Sequence, residues 1–144
     1  MEKSSIFSRI RWDWVIGTGL LAKFLMPALM FPYIVVYSYF IHPGETVTFY
    51  QQYVLDNRVA FSIWVGIPFF FLLSWFVGRR VKTDIILTNI LIWIIYVILD
   101  IPLEMLSTGE LLSLGLPLFL AHLTKLVSAY LGGMLAMRQL IANS

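Results

Sequence analysis

Four apolar stretches, residues 15–41, 59–77, 85–103 and 116–137, take up most of the 144-residue chain. At roughly 1.5 Å of rise per helical residue, each is long enough to cross the ~30 Å hydrocarbon core of a bilayer. A backbone in lipid has no water to satisfy its polar groups, and a helix satisfies them internally. Composition closes the soluble alternative. Hydrophobic residues make up 60% of the chain and charged residues 12%, whereas a soluble domain carries about 25% charged residues. A small soluble domain has too much surface to hide so much apolar material. The expectation is one all-α domain, an integral membrane four-helix bundle with short amphipathic interfacial helices.

Punctuation sets the boundaries. Residues before Trp14 mix Ile6, Phe7 and Ile10 with Lys3, Arg9 and Arg11, the pattern of a helix lying on a membrane surface. The apolar stretch that follows is too long for a cleavable signal. Pro27 and Pro32 mark kink points in the first span, because each removes a backbone donor and crowds the preceding turn. His42, Pro43 and Gly44 end it. Residues 45–57 read as a separate outer helix, with Phe49, Tyr50 and Tyr53 fitting an aromatic belt. In the second span, Ser62, Gly66, Ser74 and Gly78 give small residues at spacings that permit close helix contact. Its aromatic run, Phe69 to Phe71 with Trp75 and Phe76, reads as lipid-facing. Ser107 to Glu110 matches a capping box, so a new helix is expected near Thr108. Gly115 and Pro117 then precede the fourth span.

Basic residues give the orientation. Lys3, Arg9, Arg11, Arg79, Arg80, Lys82 and Arg138 fall on one side of the expected topology, and Arg58 alone falls on the other. By the positive-inside rule both termini are cytoplasmic. The short loops favour a bacterial inner membrane.

The residues that call for explanation are ionisable and sit at membrane depth. A charge at the bilayer centre costs at least ~2.5 kcal/mol by insertion scales, so it needs a partner or a purpose. Counted by helix rise from the inner boundary, Lys23 lies at ~14 Å, Asp100 at ~24 Å, Lys125 at ~20 Å and His122 at ~24 Å. Asp100, His122 and Lys125 therefore meet if the third and fourth spans form an antiparallel hairpin. The faces agree: Asn89, Trp93, Tyr96 and Asp100 form one helical stripe, and His122, Lys125, Ala129, Gly132 and Ala136 form another. Ser128, Gly132 and Ala136 suit close packing on a neighbouring helix or a second copy. The plain reading is an Asp100–Lys125 ion pair with His122 beside it. The functional reading is a proton or ion relay, since histidine titrates near neutral pH. Lys23 either snorkels to the headgroups or pairs with Asp100 or Asp84. If Lys125 takes Asp100, Lys23 is left over as a charge for docking a partner.

Other chemistry finds little support. With no cysteine there is no disulfide and no thiolate ligand. The two histidines, His42 and His122, make a poor haem or zinc set even with Glu45 or Glu104 added. No cofactor and no metal is expected. No nucleophile elbow or phosphate loop occurs, so no catalytic residue is assigned, and a triad of Ser113, His122 and Asp100 has no motif behind it. The net charge of +2 gives no reason to expect nucleic acid. The leading expectation is a non-enzymatic accessory or interaction protein, working with another membrane protein or as a homo-oligomer in the bilayer. The alternative is an oligomeric proton-coupled transporter or ion conductor using Asp100, His122 and Lys125, with Asn89, Tyr96 and Glu104 in support. An intramembrane lipid-modifying enzyme comes third.

Overall fold

The computed structural model describes residues 9–108 and 115–143. Its helices are α1 (Trp12–Ala28), α2 (Met30–Val36) with a π-helical turn at Tyr37–Ile41, α3 (Val47–Val81), α4 (Ile85–Thr108) and α5 (Leu116–Ala142). Four segments are long and apolar enough to cross a membrane: Trp12–Ile41, Val47–Val81, Ile85–Leu106 and Leu116–Ala142. The architecture is an all-α four-helix bundle. The amphipathic segment expected before Trp14 lies mostly outside the described residues.

The first span breaks where its prolines dictate. Pro27 lacks the N–H that would bond the Lys23 carbonyl, and Pro32 lacks the one for Ala28. Between them the helix interrupts at Leu29, whose N–H reaches back to the Leu25 carbonyl at 3.0 Å. The span ends in a widened turn, with His42 N donating to the Tyr37 carbonyl at 2.9 Å, before Gly44 turns the chain at φ 87°.

The separate outer helix expected at residues 45–57 is absent as a unit. Thr46 caps α3, its hydroxyl accepting from Phe49 N at 3.3 Å, and the helix runs unbroken to Val81. No Gly or Pro occurs between Thr46 and Gly66 to stop it. At 35 residues it measures roughly 52 Å, well beyond the hydrocarbon thickness. Its first turns therefore extend past the third span's Glu104. Likewise Pro102 lies inside α4 without ending it, and α4 continues to Thr108. The rest of the expected capping box lies outside the described residues. Pro117 sits in the first turn of α5, where its missing N–H costs nothing. The α3–α4 connection is tight, with Lys82 and Asp84 at positive φ (64° and 45°).

The most extensive contact joins α3 to α5, and α1 packs mainly on α4. The α3–α5 pair is parallel: Ser62 meets Lys125, Phe71 meets Gly132, and Gly78 meets Ala136. Small residues make it close. A Cβ added at Gly78 would lie 2.7 Å from the Ala136 Cβ. The small residues of the second and fourth spans thus serve each other. Antiparallel α4 completes the core, with Ile92, Val77 and Val15 buried near the termini and Phe70, Tyr96 and Ala129 near mid-depth. The aromatic run of α3 is not uniformly lipid-facing. Phe70 is fully buried and packs edge-on against Tyr96, whereas Trp64 and Phe76 project from the bundle. The exposed surface is rich in such residues, Phe24, Phe31 and Leu131 among them, as a lipid-facing surface requires.

Candidate functional site

Helix α4 supplies the spine of the polar cluster. Tyr96, Asp100 and Glu104 follow one another at four-residue steps and project on one face. Each meets a cation or a hydroxyl from another helix.

Asp100 forms an ion pair with Lys23 of α1. His122 of α5 lies on its other side, with Nε2 at 3.5 Å from Oδ2. That is ion-pair range, yet neither ring nitrogen makes a hydrogen bond. The imidazole is held instead by packing against Tyr96 and by burial. Lys125 does not take Asp100. Its stem runs across Gly66 of α3, where an added Cβ would come within 2.7 Å of the lysine Cε. Its ammonium donates to Ser62 Oγ at 2.6 Å and Tyr96 Oη at 3.0 Å, and stands 4.9 Å from the Tyr96 ring centroid. The expected Asp100–Lys125 pair is therefore replaced by Asp100–Lys23. Lys23 is not left over, and the argument for it as a docking charge loses its basis. The reason is axial register. Gly19 packs on Ile92 and Ile95 of α4, which sets Lys23 within a helical turn of Asp100, and the long lysine stem covers the remainder.

At the end of the bundle away from the termini, Arg58 Nε lies 3.1 Å from Glu104 Oε1. In the sequence alone, Arg58 stands out only as the exception to the charge rule. The signal that marks it is its place on α3: Arg58, Ser62 and Gly66 share a stripe, and that stripe faces the cluster.

A cavity of about 190 Å³ lies against these groups, bounded by Lys23, Arg58, Ser62, Asp100 and Glu104, with Met26 and Met30 on the first-span side. It narrows inward. Side-chain exposure falls from 33% at Arg58 to 16% at Lys23, and Lys125 behind it is 0% exposed. Below Lys125 the core is closed by Phe70 and Ala129, both fully buried.

Asn89 does not join this site. It sits toward the termini, donating to the Ser74 carbonyl at 3.1 Å, and packs against Gly78 and Gly133. Its Oδ1 and the Thr88 hydroxyl are buried without hydrogen bonds. Among the described residues no group of three His, Cys, Asp or Glu side chains gathers to hold a metal ion. His42 lies in tilted ring contacts with Tyr37 and Phe49, away from the cluster. In chemical terms the site offers fixed charges of both signs, hydroxyl acceptors and an apolar wall, which together suit binding of a polar or amphipathic group. Compared with known protein families, curated proteins and solved structures, the chain matches none.

Proposed function

We propose that this chain is a small multi-pass membrane protein, both termini cytoplasmic, that binds a polar or amphipathic small molecule without chemically altering it. The binding site is the cleft of Lys23, Arg58, Asp100 and Glu104, which on this orientation opens in the outer half of the membrane. The observation that carries the reading is the one-ended shape of the polar cluster. Charged groups in the membrane interior are costly to keep. Here they are gathered around a cavity, and below it Phe70 and Ala129 fill the core with no buried ionisable side chain among the described residues. A dead-ended polar cleft suits holding a ligand better than passing one through. Such a protein acts as an accessory component that presents or senses its ligand in the bilayer.

The conductor reading has one observation in its favour, the approach of His122 to Asp100 at 3.5 Å, an acid–base pair able to exchange a proton. The deciding experiment is native mass spectrometry of the protein released gently from its own membrane. The expected result is a small-molecule adduct at one per chain. A bare chain bound only to a foreign subunit would return the argument to partner docking. Bare copies that carry pH-driven flux in vesicles, lost in Asp100→Asn, would establish the conductor.

A further inference from the structure

The end of α3 nearest the termini carries an ordered basic surface. Trp75 with Arg79, and beside them Phe76 with Arg80, are pairs four residues apart and so form two adjacent rows along the helix. The Arg79 guanidinium carbon lies 5.2 Å from the Trp75 ring centroid, and that of Arg80 lies 5.4 Å from the Phe76 centroid, within cation–π range. Trp75 is itself fixed, its Nε1 donating to Gln139 Oε1 of α5 at 2.9 Å. With Lys82, which follows α3 at a φ of 64°, these four side chains bound a hollow of about 550 Å³.

Basic residues at a helix C-terminus complement its dipole in any protein, and that alone implies no ligand. Here the cations do not turn back onto the last carbonyls. Among the described residues neither guanidinium nor the Lys82 ammonium makes a hydrogen bond or an ion pair, and all three residues are exposed. Asp84, the nearest acid along the chain, opens on another hollow beside Ile85 and Met137. The rings thus hold two guanidinia side by side with their N–H edges uncommitted. Deeper in the membrane the same surface turns apolar. Phe76 and Leu72, one and two turns before Arg80 in its row, are about half exposed. The hollow joins a cationic rim, at the end of the apolar span, to a strip that faces lipid.

We propose that this hollow binds an anionic phospholipid of the adjoining leaflet, its phosphodiester between Arg79, Arg80 and Lys82 and one acyl chain along Phe76 and Leu72. Two planar guanidinia suit the oxygens of one phosphate, and basic residues at the membrane surface attract anionic lipid. A free phosphate has no use for the apolar strip. A zwitterionic lipid brings a further cation against the three already there. An acidic protein segment would meet the rim but would have to clear lipid from the strip. The site is separate from the cleft of Lys23, Arg58, Asp100 and Glu104, and it stands whether or not that cleft holds a ligand.

The test uses the full chain stripped of lipid in neutral detergent and titrated under native mass spectrometry with dioleoyl phosphatidylglycerol or dioleoyl phosphatidylcholine. Glycerol 3-phosphate and an octaglutamate peptide serve as competitors. Phosphatidylglycerol is expected to be retained about ten-fold more strongly than phosphatidylcholine, and neither competitor displaces it. Arg79→Gln combined with Arg80→Gln brings retention down to the phosphatidylcholine level. Arg79→Lys combined with Arg80→Lys keeps the charge but removes the planar forks, and lowers retention about three-fold or more. Arg138→Gln removes a charge from the same end of the bundle outside the hollow and leaves retention unchanged. Equal retention of the two lipids overturns the proposal. Displacement by glycerol 3-phosphate overturns it in favour of a soluble phosphate, and displacement by the peptide in favour of an acidic protein segment. Full retention in the double lysine variant, or an equal loss in Arg138→Gln, overturns it in favour of diffuse charge. If the double glutamine variant fails to fold, the double lysine variant decides alone.

Discussion

Gly132 of α5 presses directly on the Phe71 carbonyl of α3: a Cβ placed on that glycine would lie 2.2 Å from the oxygen. No side-chain rotation relieves such a contact, because both partners are backbone. Gly132→Ala is therefore expected to force α3 and α5 apart and to destabilise the bundle by about 1–3 kcal/mol, the usual range for overpacking. Thermal unfolding in detergent checks this. Gly17→Ala is the control, since a Cβ there meets nothing within 4 Å.

Lys23 and Asp100 are expected to be coupled. Removing either partner strands a largely buried charge, a loss of about 3–5 kcal/mol by analogy with buried pairs in soluble proteins. Lys23→Met or Asp100→Leu alone should lower the thermal midpoint clearly, and the double variant should recover much of the loss. A double-mutant cycle that came out additive would mean the pair does not hold the two spans together.

Ser62→Ala should be felt through Lys125. The ammonium would keep Tyr96 and lose its 2.6 Å hydroxyl acceptor, and a hydrogen bond to a charged group is worth about 1.5–3 kcal/mol. Replacing the lysine as well, Lys125→Met with Ser62→Ala, should erase the effect of the serine change. Stability of the four proteins in one detergent measures it.

The proposed orientation is open to direct labelling, because the chain has no cysteine to remove first. Thr83→Cys, in the α3–α4 turn, should react with a membrane-impermeant maleimide only after the membrane is opened. Gln51→Cys, on the exposed first turns of α3, should react in intact cells. The reverse pattern would invert the topology.

Much of the bundle was legible because lipid imposes a simple rule: apolar segments of sufficient length, separated by punctuation. The stripes of Tyr96 with Asp100 and of His122 with Lys125 were legible for the same reason, since helical periodicity fixes a face regardless of depth. Depth itself was not legible. Counting from Trp14 and Asp84 assumed that the first and third spans start level, and the error of about two turns gave Asp100 to Lys125 instead of Lys23. The seating of Gly19 against Ile92 and Ile95, with Val15 on Ile92 and Ala22 by Tyr96, fixes that register, and tertiary contacts of that kind leave no mark in local sequence. The continuity of α3 was missed for a different reason. The change of polarity near Arg58 resembles a boundary, although no helix-breaking residue stands there. That reading also concealed Arg58, which belongs to the same helix face as Ser62.

The parallel course of α3 and α5 bears on how the bundle is assembled during synthesis. Two parallel segments cannot meet until the segment between them has crossed back, so α3 enters the bilayer with its Gly66, Ser74 and Gly78 face still unmatched. Until α5 emerges, only Ile85 and Asn89 of α4 meet that face, at Gly78 and Ser74, and the rest is left to lipid or a helper. The Lys125 ammonium likewise reaches Ser62 only when α5 inserts. Insertion of α5 thus brings in both the closest backbone approach, Gly132 on Phe71, and the fully buried Lys125, and a lesion in α5 should show first as a chain that inserts but never closes.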